Sequence, residues 1–197
     1  MNRRGFLQRM TSLALADSVD SRPIRVGLLG VHHGHLLGKL TALRESSAYQ
    51  VVAACEPDER LRQNRSSLPQ FRDLPWVSED ELLSDNSIQL ILVESDVPDA
   101  IQLGAKVIRA GKHLHLEKPP GNKMEPFRAL VEEARRKSLH LQMGYVWRFH
   151  RGFDLAREAW RSGWLGDVYM LRGTINTDLS PGARKPLARY RSGMLFE

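Results

Sequence analysis

The chain has 197 residues, of which 42% are hydrophobic and 26% charged, enough apolar content to bury a core. Its formal charge of +6 is concentrated at Arg3-Arg4 and between Arg184 and Arg191; no stripe of Lys/Arg interleaved with aromatics appears, so nucleic acid is set aside as a partner. The single cysteine, Cys55, cannot form a disulfide within the chain, so the fold does not depend on an oxidising compartment.

The N-terminus reads Asn2-Arg3-Arg4-Gly5-Phe6-Leu7-Gln8, which is similar to a twin-arginine export signal. An apolar patch from Met10 to Ala16 follows, with Ala14-Leu15-Ala16 as a small-residue cleavage site. This patch is far too short to span a bilayer. Residues 1–22 are expected to be this signal or a disordered basic tail. A working signal implies the periplasm; otherwise the protein is expected in the cytoplasm.

From Pro23 the pattern alternates strand and helix. Ile24 to Leu29 reads as a strand ending at Gly30, and His35 to Arg44 as a helix with Leu36, Leu37, Leu40 and Leu43 at helical spacing. Gln50 to Cys55 is a second strand, and Pro57-Asp58 opens a helix. Pro75-Trp76-Val77 is a short extended piece, and Ser78 to Glu81 forms a capping box that starts a short helix. Ile88 to Val93 is a strand, and Pro98 to Ala110 an amphipathic helix stopped at Gly111. His113 to Leu116 is a buried strand that leads into Glu117-Lys118-Pro119-Pro120. A helix from about Glu125 to Lys137 and a strand from His140 to Tyr145 follow. Strands alternating with helices of ten or more residues predict βαβ units and a parallel sheet of about six strands, the size of one dinucleotide-binding domain. Beyond Arg148, Gly152 to Arg161 reads as a helix and Val168 to Ile175 as a strand. The polar stretch from Thr177 leads to an apolar segment, Gly193-Met194-Leu195-Phe196-Glu197, which suggests a second domain begun but not completed.

The first strand-turn-helix is where a pyrophosphate would sit, because amides at a helix N-terminus bind anions. The turn runs Gly30-Val31-His32-His33-Gly34-His35, but the second and third glycine places of the dinucleotide fingerprint hold His32 and His35. Glu56, at the end of the second strand, is positioned either to hold the adenosine ribose, favouring NAD over NADP, or to face water. Ligands in such sheets bind just outside the carboxyl ends of the strands, which places Lys118 within reach of one. The histidines raise the question of a metal, but no cysteine or carboxylate is arranged near them in sequence, so no metal site is expected.

These segments, in this order, resemble the Gfo/Idh/MocA oxidoreductases. The resemblance runs from Arg25 to Glu197. It rests on Ile24 to Gly30, on Val51 to Asp58, on Ala110-Gly111-Lys112-His113 leading to Glu117-Lys118-Pro119, on Met143 to Phe149, and on Ser162 to Tyr169. It implies an α/β chain: a Rossmann-type doubly wound parallel sheet over residues 23–146, then an incomplete α/β domain over 147–197 for substrate binding and oligomerisation. It implies NAD, with NADP possible, and hydride transfer at a sugar or cyclitol carbon. Lys118 resembles the family lysine that contacts cofactor and substrate and serves catalysis, with Glu117 and Pro119 as its positioning neighbours. Arg148 matches the family arginine after the last Rossmann strand. The expected cofactor-binding set is therefore Gly30, His32, His33, Gly34, Glu56, Glu94, Ser95, Asp96, Glu117, Lys118, Pro119 and Arg148.

The chain departs from the family in places. Glu94-Ser95-Asp96 stands where most members have Thr-Pro-Asn, and Asp99 where they have histidine, both on the nicotinamide side. Glu197 matches the acidic residue four positions before the catalytic histidine, which would lie beyond the chain. The expectation is an NAD(P)-dependent sugar or cyclitol oxidoreductase. The alternatives are a non-catalytic nucleotide- or sugar-binding module, or an inactive fragment without the general base. A homo-oligomer is expected only with a complete second domain.

Overall fold

The computed structural model describes residues 22–176. The suspected export signal and the apolar segment at Gly193 to Glu197 lie outside them.

Five strands form one parallel sheet: β1 (Ile24–Leu29), β2 (Tyr49–Cys55), β3 (Leu90–Val93), β4 (His113–Leu116) and β5 (Leu141–Met143), in the order β2-β1-β3-β4-β5. The connecting helices are α1 (Leu36–Glu45), α2 (Glu59–Ser66), α3 (Glu79–Ser84), α4 (Val97–Arg109) and α5 (Met124–Arg136). A further helix, α6 (Arg151–Arg161), follows a short 3₁₀ turn at Val146–Phe149. The Pro75–Val77 piece is not a full strand. It makes a single parallel bridge, Trp76 to Ala54, outside β2. That bridge stands where a sixth strand was expected.

The sheet separates two cores, as strand alternation requires. Val26 and Leu28 of β1, with Leu92 of β3, pack against Leu36 and Leu40 of α1. Leu29, Ile91, Val93, Leu114 and Leu116 face the opposite way, against Val107 and Ile108 of α4 and Leu130 of α5. Alternation also puts His113 and His115 of β4 together on the α1 face, where they line an open cleft with Leu90 and Leu92.

Local sequence set several element ends. The Ser78 capping box is formed, with both reciprocal hydrogen bonds made, and Asp58 caps α2 by accepting from Leu61 N–H at 2.9 Å. The expected strand at Val168 to Ile175 is not formed. Its residues are exposed and pair with nothing in the sheet, and an alternating pattern without a ladder partner does not make a strand.

Candidate functional site

The strand order reverses around β1, which has β2 on one side and β3 on the other. At such a switch point the loops diverge and leave a crevice beyond the strand ends. A cleft of about 670 Å³ lies there. Five of the expected cofactor residues line it: Gly30, His32, Glu56, Ser95 and Asp96. Its remaining wall includes Leu61, Trp76, Val77 and Leu103.

The turn after β1 is held from three sides. Gly30 has φ +81°, and a Cβ there would meet the Ser95 backbone at 3.0 Å, so glycine is required. Gly30 N–H donates to the Cys55 carbonyl at 2.9 Å. Val31 N–H donates to Glu56 Oε2 at 2.9 Å, and His32 and His33 N–H donate to the Glu94 carbonyl at 2.9 and 3.1 Å. Arg65 of α2 closes the outer side, donating to the Val31 carbonyl at 3.0 Å. Gly34 is different: a Cβ there would meet nothing within 4 Å, so no close approach requires it.

Glu56 is where the sequence placed it, at the end of β2 and on the cleft wall. Both of its oxygens already hold backbone amides, Oε2 that of Val31 and Oε1 that of Asp58 at 3.0 Å. The residue is only 9% exposed and ties the two strand ends together, so it does not simply face water.

The remaining expected residues gather elsewhere. His33, Glu94 and Glu117 join a second cluster centred on Lys39 of α1, whose ammonium lies 2.6 Å from Oε1 of Glu94 and 2.6 Å from Oε1 of Glu117. His35 Nδ1 lies 3.3 Å from Glu117 Oε1, and Lys118 N–H donates to Glu117 Oε2 at 2.6 Å. Lys118 and Pro119 are joined by a cis peptide bond. Arg148 stands apart, in an exposed pocket with Phe149, Arg157 and Arg161.

Burial and charge set the protonation of this cluster. Burial pushes Glu94 up to about 7, against the Lys39 charge and hydrogen bond that pull it down. Burial works the same way on Glu117, but there the Lys39 hydrogen bond and charge, helped by the Lys118 N–H, outweigh it and hold the carboxyl below its ordinary range. Burial and then the Lys39 charge press His115 down to about 4, keeping its imidazole neutral. His33 is also lowered, by burial first, with Glu117 opposing.

Sequence reasoning missed Lys39 and Gly144. Lys39 sits beside Leu40 and three residues after Leu36 on the inward face of α1, an apolar stripe where a lysine needs a partner; that is a readable signal. Gly144 follows β5, and a Cβ there would lie 2.5 Å from Glu117 Oε1, so this glycine makes room for the carboxylate. Nothing local in the sequence announces that contact.

A profile of the oxidoreductase family with an NAD-binding Rossmann fold, GFO_IDH_MocA, matches residues 24–145. Myo-inositol 2-dehydrogenase of Thermotoga maritima is 26% identical over 174 residues, which cover 88% of this chain and 49% of the relative. Human trans-1,2-dihydrobenzene-1,2-diol dehydrogenase is 27% identical over 161 residues, 79% of this chain and 47% of the relative. Among solved structures, scyllo-inositol dehydrogenase from Lactobacillus casei, with bound NAD(H) and scyllo-inositol, superposes with a TM-score of 0.63 at 18% identity, over 74% of this chain and 43% of that one. The chain thus spans about half the length of the curated relatives it matches. It belongs to the Gfo/Idh/MocA oxidoreductase family and carries that family's Rossmann fold.

Proposed function

We propose that this chain supplies the dinucleotide-binding part of an NAD(P)-dependent oxidoreductase that acts on a sugar or cyclitol. The observation that carries the reading is the cleft at the switch point, where Gly30, Glu56, Ser95 and Asp96 meet around the end of β1. Trp76, Val77 and Leu103 offer an apolar wall suited to an adenine ring. Glu56 keeps unused lone pairs for ribose hydroxyls even while it holds Val31 and Asp58. The names of the inositol dehydrogenases among the relatives support a polyol or sugar substrate. Residues 23–146 form the nucleotide-binding unit in this reading, and 147–197 begin the substrate unit.

The nicotinamide, when bound, supplies the hydride acceptor or donor. The chain's own contribution is positional and electrostatic. Glu117 fixes the backbone at Lys118 through the Lys118 N–H, and is itself fixed by Lys39. Lys118 then presents a positive charge beyond the end of β4, where it stabilises negative charge on the oxygen of the reacting carbon. Pro119 stiffens the exit from the strand. Arg148 offers a cation to substrate oxygens.

One observation favours a second reading, a nucleotide-binding module without turnover. The amides of Val31, His32 and His33 are engaged by Glu56 and Glu94, and His32 fills a glycine place, so the turn offers a pyrophosphate less than the family pattern does. Calorimetry with NAD, NADH, NADP and NADPH, followed by NADH formation over a panel of cyclitols and sugars, separates the two. Binding and turnover both lost in Lys118→Ala support the enzyme. Binding without turnover on any polyol supports the module, and no binding at all overturns both.

A further inference from the structure

Glu117 follows His115 by two places in sequence, and the fold adds a second carboxylate, Glu94 of the neighbouring strand. Glu94 at the end of β3, His115 on β4 and Glu117 at the end of β4 each bring a ligand atom within 4.8 Å of the others. Glu94 is fully buried, yet its Oε2 has no hydrogen-bond partner, and Nε2 of His115 has none either. Buried polar atoms are almost always satisfied, so two unpartnered atoms on residues of one such group call for an explanation. Lys39 offers only part of one. Its ammonium bonds Oε1 of Glu94 and Oε1 of Glu117 and leaves Oε2 of Glu94 unpartnered.

We propose that Glu94, His115 and Glu117 form a binding site for a divalent transition-metal ion of the zinc class, with Lys39 as a displaceable countercharge. Two carboxylate oxygens and one imidazole nitrogen give three protein ligands and leave a further position open, a pattern zinc accepts. The imidazole selects against magnesium and calcium, which prefer oxygen alone. The surroundings hold the ligands in place. Glu117 is anchored by the Lys118 N–H at 2.6 Å, and Gly144 leaves the space its carboxylate fills. There is also a way in. Lys39 and His115 both line the open cleft of about 440 Å³ on the α1 face of the sheet, and the Lys39 side chain, 16% exposed, can withdraw into it. A second trio, His33, His35 and Glu117, also lies within ligand distance. It shares Glu117, but the His35 side chain is 47% exposed, and neither His33 nor Glu117 has a buried polar atom left unpartnered. The buried set is therefore the site. An ion there would lock Glu117 and, through it, the Lys118 turn.

The test is titration of the full chain with zinc chloride and cobalt chloride, by calorimetry and by the visible absorption of bound cobalt. One ion per chain is expected. His115→Asn should weaken binding by more than about 100-fold, since even outer-shell changes cost about 10–100-fold. His33→Asn should leave it within about threefold, and Lys39→Met should tighten it by removing the competing cation. Circular dichroism establishes that each variant is folded; if Lys39→Met is not, the two histidine variants decide alone. No binding by the native chain overturns the proposal, as does unchanged binding in His115→Asn. Loss in His33→Asn with His115→Asn intact overturns it by placing the ion at the other trio. Binding by Lys39→Met alone also overturns it, because the lysine is then the permanent cation of the cluster.

Discussion

Glu56 Oε2 accepts the N–H of Val31 at 2.9 Å, so the carboxylate that ends β2 also holds the turn that ends β1. A charge-assisted hydrogen bond of this kind is about twice as strong as a neutral one. The negative charge stays at the mouth of the cleft, and the shape of the turn depends on it.

NAD is therefore expected to bind more tightly than NADP, because a 2′-phosphate would approach a carboxylate that is not free to move away. Glu56→Gln should narrow that preference. It should also weaken NAD itself, since the amide can satisfy Val31 with its oxygen but cannot accept from Asp58 with its nitrogen. Calorimetry with both cofactors on both proteins measures this. Equal NADP affinity in the native chain would remove Glu56 as the discriminating group.

His32→Gly should strengthen cofactor binding. His32 lines the cleft and is exposed, so its ring stands in space that a second fingerprint glycine leaves open. Its N–H bond to the Glu94 carbonyl is made by the backbone and survives the change. Part of the gain is offset, because glycine loses about 0.5–1 kcal/mol more on ordering than alanine does. A cofactor titration that shows no gain would mean the ring points away from the bound nucleotide.

Gly144→Ala is expected to destabilise the chain by about 1–3 kcal/mol and to weaken cofactor binding with it. The new Cβ would lie 2.5 Å from Glu117 Oε1 and 2.7 Å from its Cδ. The carboxylate must then move, and it cannot do so without loosening its hold on Lys39 and on the Lys118 N–H. Urea denaturation read beside NAD titration checks both effects. Full stability with native affinity would show that Glu117 can be repositioned at no cost.

What the sequence revealed follows the range of the interactions. Elements set by neighbours in the chain were readable: the Ser78 capping box, the Gly111 stop and the alternation of His113 to Leu116 depend on residues a few places apart. The Glu56 position was readable because a strand end fixes it, but its bond to Val31 crosses 25 positions. The Lys39–Glu117 pair crosses 78 positions, and the cluster it organises could not be seen from local spacing. Val168 to Ile175 failed in the opposite way, since its alternation is a local signal that the sheet does not take up.

Cys55 offers a test of the core next to this site. It is 5% exposed at the end of β2, and burial first, with the charges of Glu79 and Glu56 adding to it, pushes its thiol up to about 11 from 9.0. The thiolate is the nucleophile, so the native chain should resist iodoacetamide at neutral pH and react only as it unfolds. The same shift predicts a pH dependence. Between pH 9 and 11 the unfolded thiol has lost its proton while the folded one keeps it, so the folded state binds more protons and stability falls as pH rises. Below pH 9 both states are protonated and the contribution is constant. Tyrosines and lysines titrate in the same window, so the comparison is with Cys55→Ala, which removes this group alone. The native chain should lose stability relative to the variant as pH rises from 9 to 11, read by urea denaturation at each pH. A constant difference across that window, or rapid alkylation of the folded chain at pH 7, would show that the thiol is open to solvent in the folded chain.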